Sequence, residues 1–495
     1  MTAIMPGDGP VVRISATDPE RALSETNATP DGVFVVGSTG AQALEPLVAV
    51  THEGRTAFHA RCSPERVAEL CGRAETPEAV QSGGADAVVD HDPETAGFPV
   101  PELPGFGAGE RTVLGACGWR RPTSAADHEA AGGFGDPDPT VVLEAGKSLR
   151  GRGWGDLCQD EPVAGTWETV READGDAAVV VNGHGTASDA LLLASAPFEV
   201  LDGAAAVART VDADRIVVYA SDADKNAVET VREAAETYPE PPAAIDVVSG
   251  PAEYRAAEPT MGIEAIEGNH RLEARLRPPG PEEAGLRGRP TLVHTPRTFA
   301  HLAVTLRRDE SPGTRVLTVR GDVAAPVTLE LPETATLSEA VDAADVTGEF
   351  KAACVGGQFG GVTRETDVAL DPAALADADL GTEGTVHVLS GDRCIVEFVG
   401  RRAQFASEEN CGRCVPCREG TTQLAELLRD IYGGDYDRDG IEELVRVMDT
   451  SSICAFGVQA GRPTRTAVSA FESEFEAHAD GRCPAGSCIE ALEAS

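Results

Sequence analysis

Lysine is almost missing. It stands only at positions 147, 225 and 351 of a 495-residue chain in which acidic residues outnumber basic ones 82 to 41, for a net charge of -41. Binding to nucleic acid needs clustered positive charge, and no basic stripe is present, so a nucleic-acid partner is not expected. No uncharged apolar run approaches the ~20 residues that span a bilayer, so no direct membrane insertion is expected either. The N-terminal stretch MTAIMPGDGPVVRISATDPE lacks the basic flank and apolar centre of a signal peptide. These absences lead to the expectation of a cytoplasmic protein.

A disordered acidic chain is also excluded, because 41% of the residues are hydrophobic and many fall in periodic runs. The expectation that remains is a halophilic protein. At 1 M salt the Debye length is ~3 Å, and the self-repulsion of such a surface is screened. In a reducing compartment its twelve cysteines should be thiols or metal ligands, not a disulfide framework.

The hydrophobic pattern predicts a multidomain α/β chain. ALEPLVAVTHEGRTAFHA reads as a strand pair turning at Glu53-Gly54, and SPERVAELCGRA as a helix with Ser63 as N-cap and Pro64 in its first turn. Residues 86–110, rich in Pro, Gly and acid, read as a linker. DAAVVVNG, DRIVVYASD and AAIDVVSG read as strands alternating with the helices APFEVLDGAAAVARTV and KNAVETVREAAETY, the order of a parallel sheet. A small α+β unit of β-grasp type follows, with Thr336 capping its helix, and from about residue 407 the periodicity is that of a helical bundle.

The densest chemistry lies in SEENCGRCVPCREGTTQL, where Cys411, Cys414 and Cys417 fall at C-x2-C-x2-C spacing. Three such thiolates can hold corners of one [4Fe–4S] cubane, whereas zinc sites more often pair two separated knuckles. The simple ferredoxin run would place its fourth cysteine four residues on, but Arg418 to Thr421 hold none. Cys454 in TSSICAFG is the best candidate, with Cys394, Cys483 and Cys488 as competitors.

ENCGRCVPCREGT followed by SSICAFG resembles the cluster-binding end of the NADH-oxidising flavoprotein subunit of respiratory complex I and of the diaphorase subunits of NAD-linked hydrogenases and formate dehydrogenases. It departs from that pattern by Asn410 for serine and by Phe456 for a small or aliphatic residue. The resemblance implies that Cys411, Cys414, Cys417 and Cys454 are the cluster ligands. VLGACGWRRPTSAADHEAAGGF, EYRAAEPTMGIEAIEGNHRLEARLRPPGPEEAGLRGRPTLVHTPRT, GTRVLTVRGDVAAPVTLELP and FESEFEAHADGRCPAGSC extend it over roughly 111–490. It implies an α/β multidomain fold with a degenerate thioredoxin-like domain at 1–85, a Rossmann-like flavoprotein core at 111–312, a β-grasp domain at 313–392, a helical [4Fe–4S] domain at 393–480 and a cysteine-containing tail at 481–495.

The resemblance also implies FMN and NADH sites at Gly151, Arg152, Gly153, Asn182 and Glu258, and there the sequence departs further. The glycine-rich loop reads GRGWGDLCQD, with Trp154 and Asp156 where the resemblance leads one to expect glycines next to the flavin. The second motif, NGHGTASD, keeps Asn182 and loses its acidic residues. YRAAEPTMG keeps Tyr254 and Glu258 but has Ala257 for Gly and Pro259 for the second Glu, and an asparagine pair is replaced by His294 and Thr295. The function implied is an iron-sulfur electron-transfer subunit drawing on NADH, through FMN if that site is retained, with a redox partner or complex subunit. The alternative is a non-catalytic docking or redox- and iron-sensing subunit.

DYDRDGIEELVR opens like an EF-hand loop, but its twelfth position is Arg446, which repels calcium, so it reads as an acidic turn before a helix. Cys483 and Cys488 read as two thiols in a frayed tail, and no histidine shows metal-ligand spacing.

Overall fold

The computed structural model describes residues 4, 10–26, 31–72, 84–107, 109 and 111–488. The first unit is a five-stranded sheet in the order Val33–Val36, Val11–Ser15, Leu47–His52, Arg55–His59, Ala87–Asp90. Its first pair is parallel and the rest antiparallel. Glu53 (φ 47°) and Gly54 (φ 76°) make the tight left-handed turn that the sequence signals. Helix Pro64–Gly72 buries Val67 and Leu70 against Val12, Ile14 and Val48.

The described residues within 86–110 are packed on this unit and do not form a linker. Ala87–Asp90 is the edge strand of this sheet, and Phe98 is buried among Phe58, Phe106 and Trp119. The Pro and Gly of that stretch shape turns packed on the domain. Composition alone could not show this, because the decisive contacts come from Phe58 and Trp119, distant in sequence.

The central unit is a parallel sheet in the order Ala244–Gly250, Ala213–Ser221, Ala177–Asn182, Thr291–His294. Ala177–Asn182 is buried at every position, as a strand covered by helices on both faces must be. Helices Pro197–Thr210 and Pro296–Arg308 pack on it through Leu201, Val207, Phe299 and Leu302. Its strands end together at Asn182, Ser221, Gly250 and His294, the end of an open parallel sheet where ligand sites form.

A mixed sheet follows, in the order Val327–Pro332, Thr314–Gly321, Thr385–Ser390, Phe350–Val355, Gly361–Thr363. Thr336 and Glu339 form a full capping box on helix Leu337–Asp342. The last unit packs helices Ile395–Glu409, Val415–Asp430, Arg438–Ser451 and Arg462–Ala479 around Val399, Leu424, Val445 and Phe471. The acidic turn is a helix start, with Asp437 Oδ1 accepting from the Gly440 amide (2.9 Å) and Arg446 paired to Glu443. Among the described residues no single helix is long and apolar enough to cross a membrane.

Candidate iron-sulfur site and the filled pocket beside it

Helix Ile395–Glu409 stops at Asn410, whose side-chain amide donates to the carbonyls of Ala406 (3.1 Å) and Ser407 (2.8 Å). Its Oδ1 accepts from the Gly412 amide (2.9 Å), and Gly412 takes φ 75°, so the chain reverses tightly there. Asn410 thus supplies the bonds that end one helix and shape the cysteine loop. Cys414 stands at the N-cap position of the next helix without bonding to it through its side chain, and Cys417 lies in the first turn, where the amide dipoles favour a thiolate.

Cys454 comes from the turn after helix Arg438–Ser451 and starts the short helix Ala455–Gln459. Gly457 lets that turn seat itself, because a β-carbon there would lie 2.8 Å from Cys417 Cβ. Cys414, Cys417 and Cys454 share one apolar cluster with Trp154, Phe359, Met448 and Phe456. Cys411 and Cys454 pack with Ala256, Met261 and Leu272 of the central unit. The four cysteines therefore converge at a junction between units.

Burial, then the neighbouring Cys414, Cys454 and Cys411, push the Cys417 thiol well above its ordinary range. Burial, followed by Glu258, pushes Cys454 up to about 12. Four thiolates cannot coexist in this pocket without positive charge among them. That is the condition a metal cluster meets, so the donor set fits one.

The loop of Gly151, Arg152 and Gly153 lies at the carboxyl end of the parallel sheet. Asn182 Nδ2 donates to the carbonyls of Gly155 and Ala257 (both 2.8 Å), tying that loop to the turn Tyr254–Ala257. Glu258 caps helix Pro259–Ile266, accepting from the amides of Thr260 (2.8 Å) and Met261 (2.9 Å), and its other oxygen meets Arg277 (3.4 Å). The Arg152 guanidinium, lowered to about 10 chiefly by burial, reaches Glu333 (3.4 Å). Gly153 takes φ 88° and packs against the buried Arg297, which pairs with Asp189 (3.0 Å).

Trp154 is buried and lies flat on Tyr254, with ring centroids 4.5 Å apart and planes 15° off parallel. Tyr254 in turn meets Phe359, Phe405 and Phe456 edge-on, so one aromatic layer runs from the glycine loop to the cysteine pocket. The Trp154 indole N–H is buried without a hydrogen-bond acceptor. Glu383, which accepts from the Tyr254 hydroxyl (3.3 Å), is pushed up to about 7 by burial.

Asp156 is buried at the N-terminus of helix Pro296–Arg308. Oδ2 accepts from the Thr298 hydroxyl (2.7 Å) and the amides of Thr295 (3.3 Å) and Arg152 (3.4 Å). Oδ1 accepts from the Cys158 amide (2.9 Å) and from His294 Nδ1 (2.8 Å). The Trp167 indole N–H can only donate, and its hydrogen bond goes to His294 Nε2 (2.8 Å), so Nε2 accepts there and Nδ1 faces Asp156 as the donor. Burial would raise the Asp156 carboxyl, but His294, Thr298 and the Cys158 amide hold it below its ordinary value. Although Asp156, Cys158 and His294 lie within 4.8 Å of one another, this leaves no histidine lone pair for a metal.

Sequence reading missed Glu383, the Arg297–Asp189 pair and one further group. Cys394, His478, Cys483 and Cys488 come together in the helical unit, so the tail is not frayed there and His478 does have ligand spacing. The signal was present as H-x4-C-x4-C over residues 478–488.

Comparison with known proteins finds similarity over both the central and the helical units. Residues 148–303 match the Nuo51 FMN-binding domain, and residues 397–478 match the NADH-ubiquinone oxidoreductase-F iron-sulfur binding region. The chain is similar to subunits F of NADH-quinone oxidoreductases and to a subunit of an NADP-reducing hydrogenase. It is 29% identical over 405 residues to the F 2 chain of the NADH-quinone oxidoreductase of Rhizobium meliloti, covering 72% of this chain and 95% of that protein. It is 30% identical over 272 residues to HndC of the NADP-reducing hydrogenase of Solidesulfovibrio fructosivorans, covering 50% of this chain and 55% of that one. The crystal structure of an NAD+-reducing [NiFe]-hydrogenase in the H2-reduced state shares the fold, with a TM-score of 0.63 at 24% identity over 100% of this chain and 88% of that one.

Proposed function

We propose that this chain is an electron-transfer subunit of an NADH-linked oxidoreductase, with one [4Fe–4S] cluster on Cys411, Cys414, Cys417 and Cys454. The convergence of these four thiols in one pocket, within the region that matches the iron-sulfur family, carries the reading. Such a cluster supplies one-electron chemistry when bound. The chain's part is to hold the thiolates, to exclude water with Phe359, Met448 and Phe456, and so to set the potential by burial. Kinship with the NADH-quinone oxidoreductases supports NADH as the electron source and another subunit as the partner. Val415, next to Cys414 in the chain, is exposed.

The flavin seat, on our reading, is closed by the chain itself. Trp154 lies flat on Tyr254, where an isoalloxazine would have to enter, and Asp156 occupies the helix N-terminus that an anion would use. A flavin phosphate there would meet a buried carboxylate whose donors are already engaged. The residues present do not fit FMN, so we route no step through flavin on this chain.

Anaerobic purification in molar KCl, with iron, acid-labile sulfide and acid-released flavin measured on one sample, tests both statements. About four irons and about four sulfides per chain are expected, with flavin far below stoichiometric. Stoichiometric flavin would overturn the closed seat alone; absence of iron would overturn the carrier. The acidic surface further predicts that the thermal midpoint rises as KCl is raised from about 0.1 to 2 M; a midpoint independent of salt would contradict the halophilic reading.

A further inference from the structure

We infer, resting on the electron-transfer reading above, that Glu383 takes up a proton as the iron-sulfur site gains an electron, so that electron transfer through this chain is coupled to proton binding.

Glu383 lies where the mixed sheet, the central unit and the helical unit meet. It stands just before strand Thr385–Ser390, and its side chain is buried. Gly357 makes room for the carboxyl, because a β-carbon there would collide with Glu383 Oε2. The same glycine starts the short turn that carries Phe359, one of the rings around the cysteine pocket. Oε2 accepts from the Tyr254 hydroxyl (3.3 Å), and the Tyr254 ring meets Phe359, Phe405 and Phe456 edge-on. The carboxyl is thus bonded to a member of the apolar cluster that holds Cys414, Cys417 and Cys454.

The forces on its proton oppose each other. Burial favours the neutral acid, whereas Arg297, the Tyr254 hydroxyl, Arg320 and Arg402 favour the carboxylate. Arg297, from helix Pro296–Arg308, is committed to Asp189 and gives Glu383 only a backbone contact, from Nη1 to the carbonyl (2.7 Å). Arg320, from strand Thr314–Gly321, and Arg402, from helix Ile395–Glu409, are not committed in this way. Each holds a buried Nε without an acceptor. Two other ionisable neighbours stay neutral: burial keeps the Cys354 thiol protonated, and burial followed by Arg402 and Arg320 pushes His387 down to about 4. A carboxyl between burial on one side and two unspent guanidinium groups on the other is near balance, and one added charge nearby decides its state.

Negative charge added at the cysteine pocket tips that balance toward the acid. One electron arrives from the reductant of the transfer reaction, and one proton passes from solvent to the Glu383 carboxylate; no other bond forms or breaks. The junction then gains no net charge, which lowers the cost of holding the electron in a protein that already carries a net charge of -41. Where Glu383 keeps its proton in both redox states the midpoint potential is independent of pH. Above the pH at which it ionises in the oxidised protein, each electron brings a proton and the midpoint falls as pH rises.

The test is a potentiometric titration of the whole protein, purified anaerobically in molar KCl and followed by electron paramagnetic resonance from about pH 6 to about pH 9. The midpoint is expected to hold level at acid pH and to fall above about pH 7, by at most ~59 mV per pH unit, the one-electron equivalent of a tenfold change. Glu383→Gln, which fixes the neutral form, should stay at the acid plateau throughout. Should that variant fail to fold, Tyr254→Phe replaces it: loss of the hydroxyl that favours the carboxylate should carry the falling region to higher pH. A level midpoint in the parent protein, an equal fall in Glu383→Gln or, in its place, a Tyr254→Phe profile identical with the parent's would overturn the proposal and leave electron transfer standing. Absence of any reducible cluster would sink the electron-transfer reading and the proton coupling together.

Discussion

Replacing Cys454 with serine is expected to remove the iron-sulfur absorption and nearly all of the labile sulfide, while Cys488→Ser leaves both in place. Spacing along the chain assigns three corners of the cluster and leaves four cysteines competing for the last. The structure separates them. Cys454 shares its packing with Cys411, Cys414 and Cys417, whereas Cys394, Cys483 and Cys488 gather about His478 in a different part of the helical unit. Serine in place of a ligand thiolate removes a soft donor that iron-sulfur clusters require. Iron and sulfide per chain and the visible spectrum, taken anaerobically on both variants, are the measurement. Retention of the full spectrum by C454S would contradict the ligand assignment.

Asp156→Ala is expected to destabilise the protein by several kcal/mol, each buried donor left without an acceptor costing about 1–3 kcal/mol. The cost arises because the amides of Cys158 and Thr295, the Thr298 hydroxyl and His294 Nδ1–H all lose their acceptor inside the protein. The pH dependence follows the same carboxylate. Its folded-state value is depressed, so its contribution is present above its unfolded value of ~3.9 and disappears as pH falls through the folded value. D156A should therefore show a flatter stability profile at acid pH. Denaturant midpoints in molar KCl at several pH values check this; a loss under about 1 kcal/mol would show that the Asp156 network does not hold the loop in place.

How much of this was legible in the sequence follows the range of the interactions. The Glu53-Gly54 turn and the Thr336 capping box depend on residues a few positions apart and could be read directly. The C-x2-C-x2-C loop was legible for the same reason. Trp154 and Asp156 were visible only as mismatches to a glycine loop. Their roles depend on Tyr254, His294 and Thr298, roughly a hundred or more residues away, which no local pattern brings together. The Cys394 group failed for a mixed reason: H-x4-C-x4-C is local, but without Cys394 from the start of another helix it reads as a loose tail. Residues 86–110 were misread because proline and glycine mark turns whether or not those turns are packed.

The measurement that bears most directly on the account is electron paramagnetic resonance of the anaerobically purified protein, reduced with dithionite in molar KCl. A single low-temperature signal of a reduced [4Fe–4S] centre, integrating to about one spin per chain, is the predicted result. A protein that takes up no reducing equivalents and gives no such signal would contradict the claim that this chain carries electrons.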